Sequence, residues 1–191
     1  MLASSNKVTF LPAVMRTKIR AFALRACGFG LIILPLFLAL SFASHNGSDP
    51  SVNTATASTA QNAMGAVGAI VSDLILQSFG LASIIIIPVL LSWGTRLIRK
   101  KTIPRALLKI GLLPFTLLAA STALALCIPT TAESGLTTAG GIFGYILTSS
   151  TVFTGLPDTG LLRIIIVLAL ALCVISVTAY LLALSRQEWA W

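Results

Sequence analysis

Four long apolar runs alternate with polar segments along this chain, at about residues 26–43, 74–93, 106–128 and 161–184. Each is close to the ~20 residues that one helical crossing of a bilayer needs. The pattern therefore predicts an all-α integral membrane protein with four transmembrane helices. Pro35, Pro88 and Pro114 fall inside the first three runs. They predict kinks, which neighbouring helices tolerate by satisfying the freed carbonyls.

The second run holds more than a crossing. Residues 61–101 read QNAMGAVGAIVSDLILQSFGLASIIIIPVLLSWGTRLIRKK. Residues 74–93 are long enough alone, with Trp93 as an interfacial anchor. Residues 61–73 are then left over as a separate segment along the outer interface, with Asp73 near the water boundary. Within it Gly65, Gly68 and Ala69 lie three to four apart, a spacing that lets backbones approach closely. In the third run Ala119, Ala123 and Cys127 line one face, and Ser121 and Ala125 another; both read as packing faces.

Composition agrees with the pattern. The chain has 191 residues, 57% of them hydrophobic and only 9% charged, with a mean hydropathy of +0.98. A soluble domain carries roughly 25% charged residues. The net charge of +8 is divided between alternate loops. Lys7, Arg16, Lys18, Arg20 and Arg25 precede the first run. Arg96, Arg99, Lys100, Lys101, Arg105 and Lys109 lie between the second and third. This is the positive-inside pattern, so both termini are expected in the cytoplasm. The second cluster is expected to meet anionic lipid headgroups. No direct nucleic-acid contact is expected from charge placed this way.

Residues 1–21 read as a basic tail, with an interfacial helix around Val14–Arg25. A basic start, an apolar run and Ser41-Phe42-Ala43 also resemble a cleavable signal peptide, although the basic part is long for one. Residues 44–60 form a polar, turn-rich outer loop in which His45, the sole histidine, is expected to be solvated. Residues 129–160 form a second outer loop, ending in the turn Pro157-Asp158-Thr159-Gly160.

Little chemistry is visible. Cys27, Cys127 and Cys173 have no paired spacing and predict neither disulfides nor a metal site. No phosphate-cradling glycine loop, HExxH or GxSxG occurs. The acids Asp49, Asp73, Glu133, Asp158 and Glu188 are scattered. No catalytic residue, cofactor or metal is expected. Asp73 reads as an interface carboxylate; a proton relay would need a second buried partner.

The halves resemble each other. Gly65-x-x-Gly68, eleven residues and Gly80-Leu81 match Gly141-x-x-Gly144, ten residues and Gly155-Leu156. Two parallel helical hairpins related by an axis along the membrane normal would produce this; so would chance among glycine-rich outer segments. The candidate contact and packing residues are Asn62, Gly65, Gly68, Asp73, Gly80, Gly141 and Gly144.

Taken together, His45-Asn46, Asp49-Pro50-Ser51, Gln61-Asn62, Gly65-x-x-Gly68-Ala69, Asp73, Phe79-Gly80-Leu81-Ala82, Pro88 and Trp93-Gly94 with the following basic residues resemble a known pattern. It is that of the amino-terminal four-helix membrane domain of the FtsK/SpoIIIE family of bacterial DNA translocases, over about residues 22–188. The resemblance implies an inner-membrane anchor at the division septum that recruits division proteins and supports oligomers. In that family an ATPase motor follows. Here the chain stops where the linker to the motor would begin, so ATP hydrolysis and DNA pumping are not carried over. A fragment, a split gene and a stand-alone module are all compatible with that. The competing class is a small transporter or channel subunit. It needs polar groups around a midplane cavity, whereas Ile84–Ile87, Leu117-Leu118 and Ile164–Leu170 are apolar.

Overall fold

The computed structural model describes residues 12–54, 56, 58–128, 139–150 and 160–184. Lys7, Glu133, Gly155-Leu156, the turn residues Pro157 to Thr159, Glu188 and the terminal tryptophans lie outside them. The described residues form helices α1 (Ala13–Ala43), α2 (Gly65–Phe79), α3 (Ile86–Ile98), α4 (Ala106–Cys127), α5 (Gly141–Ser149) and α6 (Gly160–Leu181). A 3₁₀ segment, Gly80–Ile85, joins α2 to α3. Four stretches are long and apolar enough to cross a membrane: Val14–Ala43, Gly65–Ile98, Ala106–Cys127 and Gly160–Leu181. Only 6–28% of each is buried against protein. The rest is apolar surface that a bilayer must cover, so this is a multi-pass membrane protein.

The first helix is longer than expected. No break separates Val14–Arg25 from the first crossing. Thirty-one residues extend about 46 Å at ~1.5 Å per residue, beyond the ~30 Å hydrocarbon core. Pro12 immediately precedes the helix, and its carbonyl accepts the N–H groups of Met15 and Arg16. Pro35 sits within the helix, buried. α1 packs along α3 through two facing glycines. A Cβ on Gly28 would stand 3.1 Å from the Gly94 carbonyl oxygen, and one on Gly94 2.9 Å from that of Gly28. The two backbones therefore touch directly, as small residues permit.

The second run does divide, but not at Asp73. Helix α2 continues through Asp73 and stops at Gly80, whose φ of +59° and ψ of −143° suit only glycine. Beyond it, Gly80–Ile98 measures about 31 Å at ~1.5 Å per α-helical and ~2.0 Å per 3₁₀ residue, enough to cross. The tightened turn ends just before Pro88, which cannot donate a hydrogen bond to the carbonyl of Ile84. The crossing is thus shifted six residues along the chain from the expected 74–93 at its start.

The leftover helix lies across one end of the bundle. Its beginning touches Ser41 and Ser44 at the end of α1. Its last carbonyl meets Ser121, six residues before the end of α4. We call this the polar end. The opposite, basic end carries the α3–α4 connection. A small apolar core sits nearer the basic end, where Val89, Trp93 and Leu181 pack with Leu31, Leu112, Leu113 and Val177 around them.

Candidate functional site

The polar end is built on one carboxylate and one amide. Asp49 is 4% exposed. Its two oxygens accept the backbone N–H groups of Gln61 and Asn62, each at 2.9 Å. That closes the loop after α1 onto the entry to α2. Asn62, equally buried, donates to the carbonyls of Ser41 (2.8 Å) and Ser44 (3.3 Å), which α1 leaves unpaired at its end. Its own carbonyl oxygen accepts the Met64 N–H at 2.9 Å. Asn46 braces the loop from outside: it donates to Gln61 Oε1 at 3.0 Å and accepts the Ser48 N–H.

His45 is not a solvated loop residue. It is half-buried, and its Nδ1 lies 3.2 Å from Ser72 Oγ on α2. Asp73 is buried rather than at an open water boundary. It accepts from Gln77 Nε2 at 2.7 Å, and Gln77 Oε1 accepts from Asn53 at 2.6 Å. Among the described residues no cation or second acid joins this chain of bonds, so the geometry offers Asp73 no relay partner.

The glycines fall into two kinds. Gly65 has nothing within 4 Å of a Cβ position, but its φ is +66°. It is needed for conformation. Gly68 is needed for space: a Cβ there would collide with Met64 Cβ and Asn62 Oδ1 and stand 3.1 Å from Ser41 Oγ. Gly141 has the same φ of +66° and is crowded as well, by Gly80 and Ser78, and Gly144 repeats the second requirement against Ser121 and Ala125. Even the preceding residues agree, Met64 at φ −95°, ψ 16° and Gly140 at φ −93°, ψ 1°. The two Gly-x-x-Gly units therefore start helices in the same way, the second glycine of each lying against a serine of the preceding long helix, Gly68 on Ser41 and Gly144 on Ser121. Gly155-Leu156, the last part of the repeat, lies outside the described residues.

Gly80 and Gly141 meet. A Cβ on Gly80 would strike the Ala139 carbonyl and lie 2.6 Å from the Gly141 nitrogen. Leu81 N–H donates to the Ala139 carbonyl at 2.9 Å. Ser121 Oγ donates to the Phe79 carbonyl at 3.0 Å, at the point where α2 ends. Phe79 and Phe143 pack beside the crossing with their rings tilted by 39°, ring centroids 5.1 Å apart. This junction joins three elements, backbone to backbone. Sequence reasoning named Gly80, Gly141 and Gly144 but missed Gly140, which with Gly144 lies on the Ser121 backbone; the Gly-Gly pair was the available signal.

At the basic end the six expected lipid contacts separate. Arg99, Lys100, Lys101 and Arg105 are exposed, and Arg96 is half-buried. Lys100 adopts φ +57°, with its N–H on the Leu97 carbonyl and that of Lys101 on the Arg96 carbonyl. This pair of bonds closes α3 in a Schellman turn. Lys109 is a correction. It is 1% exposed, donates to the Tyr180 carbonyl and lies 4.1 Å from the centre of the Tyr180 ring. Trp93 is likewise buried, and its Nε1 donates to the Leu181 carbonyl at 2.7 Å. Ser92 donates to the Leu182 carbonyl. Three donors from α3 and α4 thus reach the carbonyls of Tyr180, Leu181 and Leu182 at the end of α6, that of Tyr180 being shared with the Ala183 N–H. The cause is tertiary: the last turn of α6 is laid between α3 and α4, where an amine and an indole take the place of water.

No described group of His, Cys, Asp and Glu could hold a metal ion. The three cysteines are free and exposed.

Comparison with known proteins matches residues 20–189 to the family described as the 4TM region of DNA translocase FtsK/SpoIIIE. A DNA translocase FtsK of Mesorhizobium japonicum is 38% identical over 149 residues, covering 77% of this chain and 17% of the relative. A DNA translocase FtsK of Rhizobium meliloti is 31% identical over 135 residues, covering 70% and 15%. No solved structure matches. The chain therefore spans about a sixth of the length of these curated relatives, and what is matched is their membrane region. On that match, and with its four apolar crossings, the chain belongs to the FtsK/SpoIIIE four-helix membrane-region family.

Proposed function

We propose that this chain serves as the non-enzymatic membrane anchor and assembly region of a division-associated DNA translocase, held in the bacterial inner membrane and enriched at the septum. The observation that carries the reading is the family match over residues 20–189, which falls on the membrane region. The contrast between its two ends supports the orientation. The exposed cations Arg99, Lys100, Lys101 and Arg105 suit a cytoplasmic face with anionic headgroups. Both termini are then cytoplasmic and the polar end is outside. In this reading the polar end offers the contact surface for division proteins, and the exposed apolar faces of the helices offer surfaces for a homo-oligomer.

A transport role has less support. Among the described residues the buried acids Asp49 and Asp73 lie at the polar end rather than at a midplane cavity. A carboxy-terminal fluorescent fusion in dividing cells tests the proposal. Enrichment at midcell is expected; an even signal around the whole envelope counts against septal anchoring. Orientation has a separate test. A cysteine at position 47, in a chain whose three native cysteines are replaced, should react with a membrane-impermeant maleimide added to intact cells.

A further inference from the structure

Among the described residues, one charged side chain belongs to neither end cluster. Arg163 lies in the first turn of α6, and its Nε and Nη2 donate to the Leu126 carbonyl of α4 at 3.0 and 2.6 Å. Those bonds fix the guanidinium on the wall of an open cleft of about 380 Å³ between α4 and α6. Its walls are Leu126, Cys127, Ile164, Val167 and Leu168. A volume of this size is within the range of small-molecule sites, ~300–1,000 Å³. A guanidinium has five N–H groups, and Leu126 engages only two of its nitrogens. Among the described residues no carboxylate meets it.

The surroundings identify the occupant. Only 6% of the apolar window of α6 is buried by protein, and Ile164, Ile165 and Leu168 are each more than half exposed. The cleft therefore opens onto the bilayer. Depth fits as well. Helix α6 is about 33 Å long at ~1.5 Å per residue, close to the ~30 Å hydrocarbon core. Its end is held at the basic face by Trp93, so Arg163 stands at the headgroup level of the opposite leaflet. An arginine at the edge of hydrocarbon is costly unless paired, and a planar guanidinium matches phosphate geometry. We propose that this cleft binds one anionic phospholipid of the bilayer, its phosphate on Arg163 and an acyl chain along Val167 and Leu168.

Cys127 lines the cleft and reports on it. The full chain carrying Cys27→Ala and Cys173→Ala is placed in micelles doped with dioleoyl-phosphatidylglycerol or dioleoyl-phosphatidylcholine, and N-ethylmaleimide labelling of Cys127 is timed. Labelling should be about threefold slower with the anionic lipid, the order expected of one partly exposed ion pair. Arg163→Gln should remove the difference, and Arg163→Lys should keep part of it. Val167→Phe fills the cleft without touching the arginine; it should lower the phosphatidylglycerol retained by the intact chain in native mass spectrometry. Arg99→Gln, at the other end, should leave the Cys127 rates unchanged. Equal rates in the two lipids overturn the proposal. So does protection that follows protein concentration instead of lipid, which would mean that a second copy fills the cleft. Because none of this involves the septum, its failure leaves the anchor reading standing.

Discussion

The two ends of the bundle satisfy open helix termini in opposite ways. At the polar end the loop does it. Asp49 and Asn62, thirteen residues apart, tie the connection between α1 and α2 onto the carbonyls where α1 ends. At the basic end distant side chains do it. Lys109 and Trp93 reach carbonyls of α6 that are 71 and 88 residues away along the chain. The first arrangement can form as soon as one hairpin has been made. The second needs the whole bundle. The difference shows why a membrane protein with few charges still buries some: an unpaired carbonyl in hydrocarbon is costly, and a lysine or tryptophan that meets it removes that cost.

Substitutions can break or sharpen this contrast, and unfolding in mixed micelles on titration with dodecyl sulfate would measure them. The largest effect is expected where α2 ends, at the junction of Gly80 with Gly141. Gly80→Ala places a Cβ on the Ala139 backbone at a φ of +59°, so overpacking and backbone strain combine to cost about 3 kcal/mol or more. A loss below 1 kcal/mol would mean that α5 is free to move off the break. Lys109→Met comes next, at about 2 kcal/mol, because it removes both the charge-assisted hydrogen bond to the Tyr180 carbonyl and the contact of the amine with the Tyr180 ring. If Lys109 were instead a surface lipid contact, Lys109→Met would behave like Arg99→Gln.

At the polar end Asp49→Asn should cost about 1.5–2 kcal/mol, since an amide can accept only one of the two backbone N–H groups and sets a donor against the other. Gly65→Ala is expected to cost about 1 kcal/mol, from the left-handed conformation alone, because nothing crowds the position. Gly68→Ala should exceed it, since space is lacking there. The reverse order would show that helix start, not packing, dictates the Gly-x-x-Gly spacing. Arg99→Gln, fully in the open, should change stability by less than about 0.5 kcal/mol. It would mark the baseline against which Lys109 is judged.

Much of this was legible beforehand. The apolar runs announced four crossings. Of the small residues spaced for close approach, Gly68 is crowded by Met64, Asn62 and Ser41, whereas Gly65 has open space around it and a positive φ instead. Ser121 and Ala125 were read as a packing face, and they are the surface on which Gly140 and Gly144 rest. Asn62 stood out only by resemblance. Nothing local announced that its amide would hold Ser41 and Ser44, or that His45 would turn toward Ser72. Arg163 stands in the sequence as a lone charge at the start of the fourth apolar run. The bond to Leu126 depends on how α6 lies along α4, which no periodicity encodes.

The sequence by itself determined how many times the chain can cross, which connection carries the exposed charge, and where backbones can touch. Those properties follow from residue type and spacing, because hydrocarbon selects apolar length and a glycine removes its Cβ wherever it stands. Only the tertiary structure decided that the second crossing starts at Gly80, that α2 lies across the polar end, and that Lys109 is buried while Arg99, Lys100, Lys101 and Arg105 are not. Each of those outcomes rests on a contact between elements far apart in the chain. A lysine near the end of an apolar run reads the same whether it faces a headgroup or the last carbonyls of another helix; the packing of α6 between α3 and α4 makes the choice.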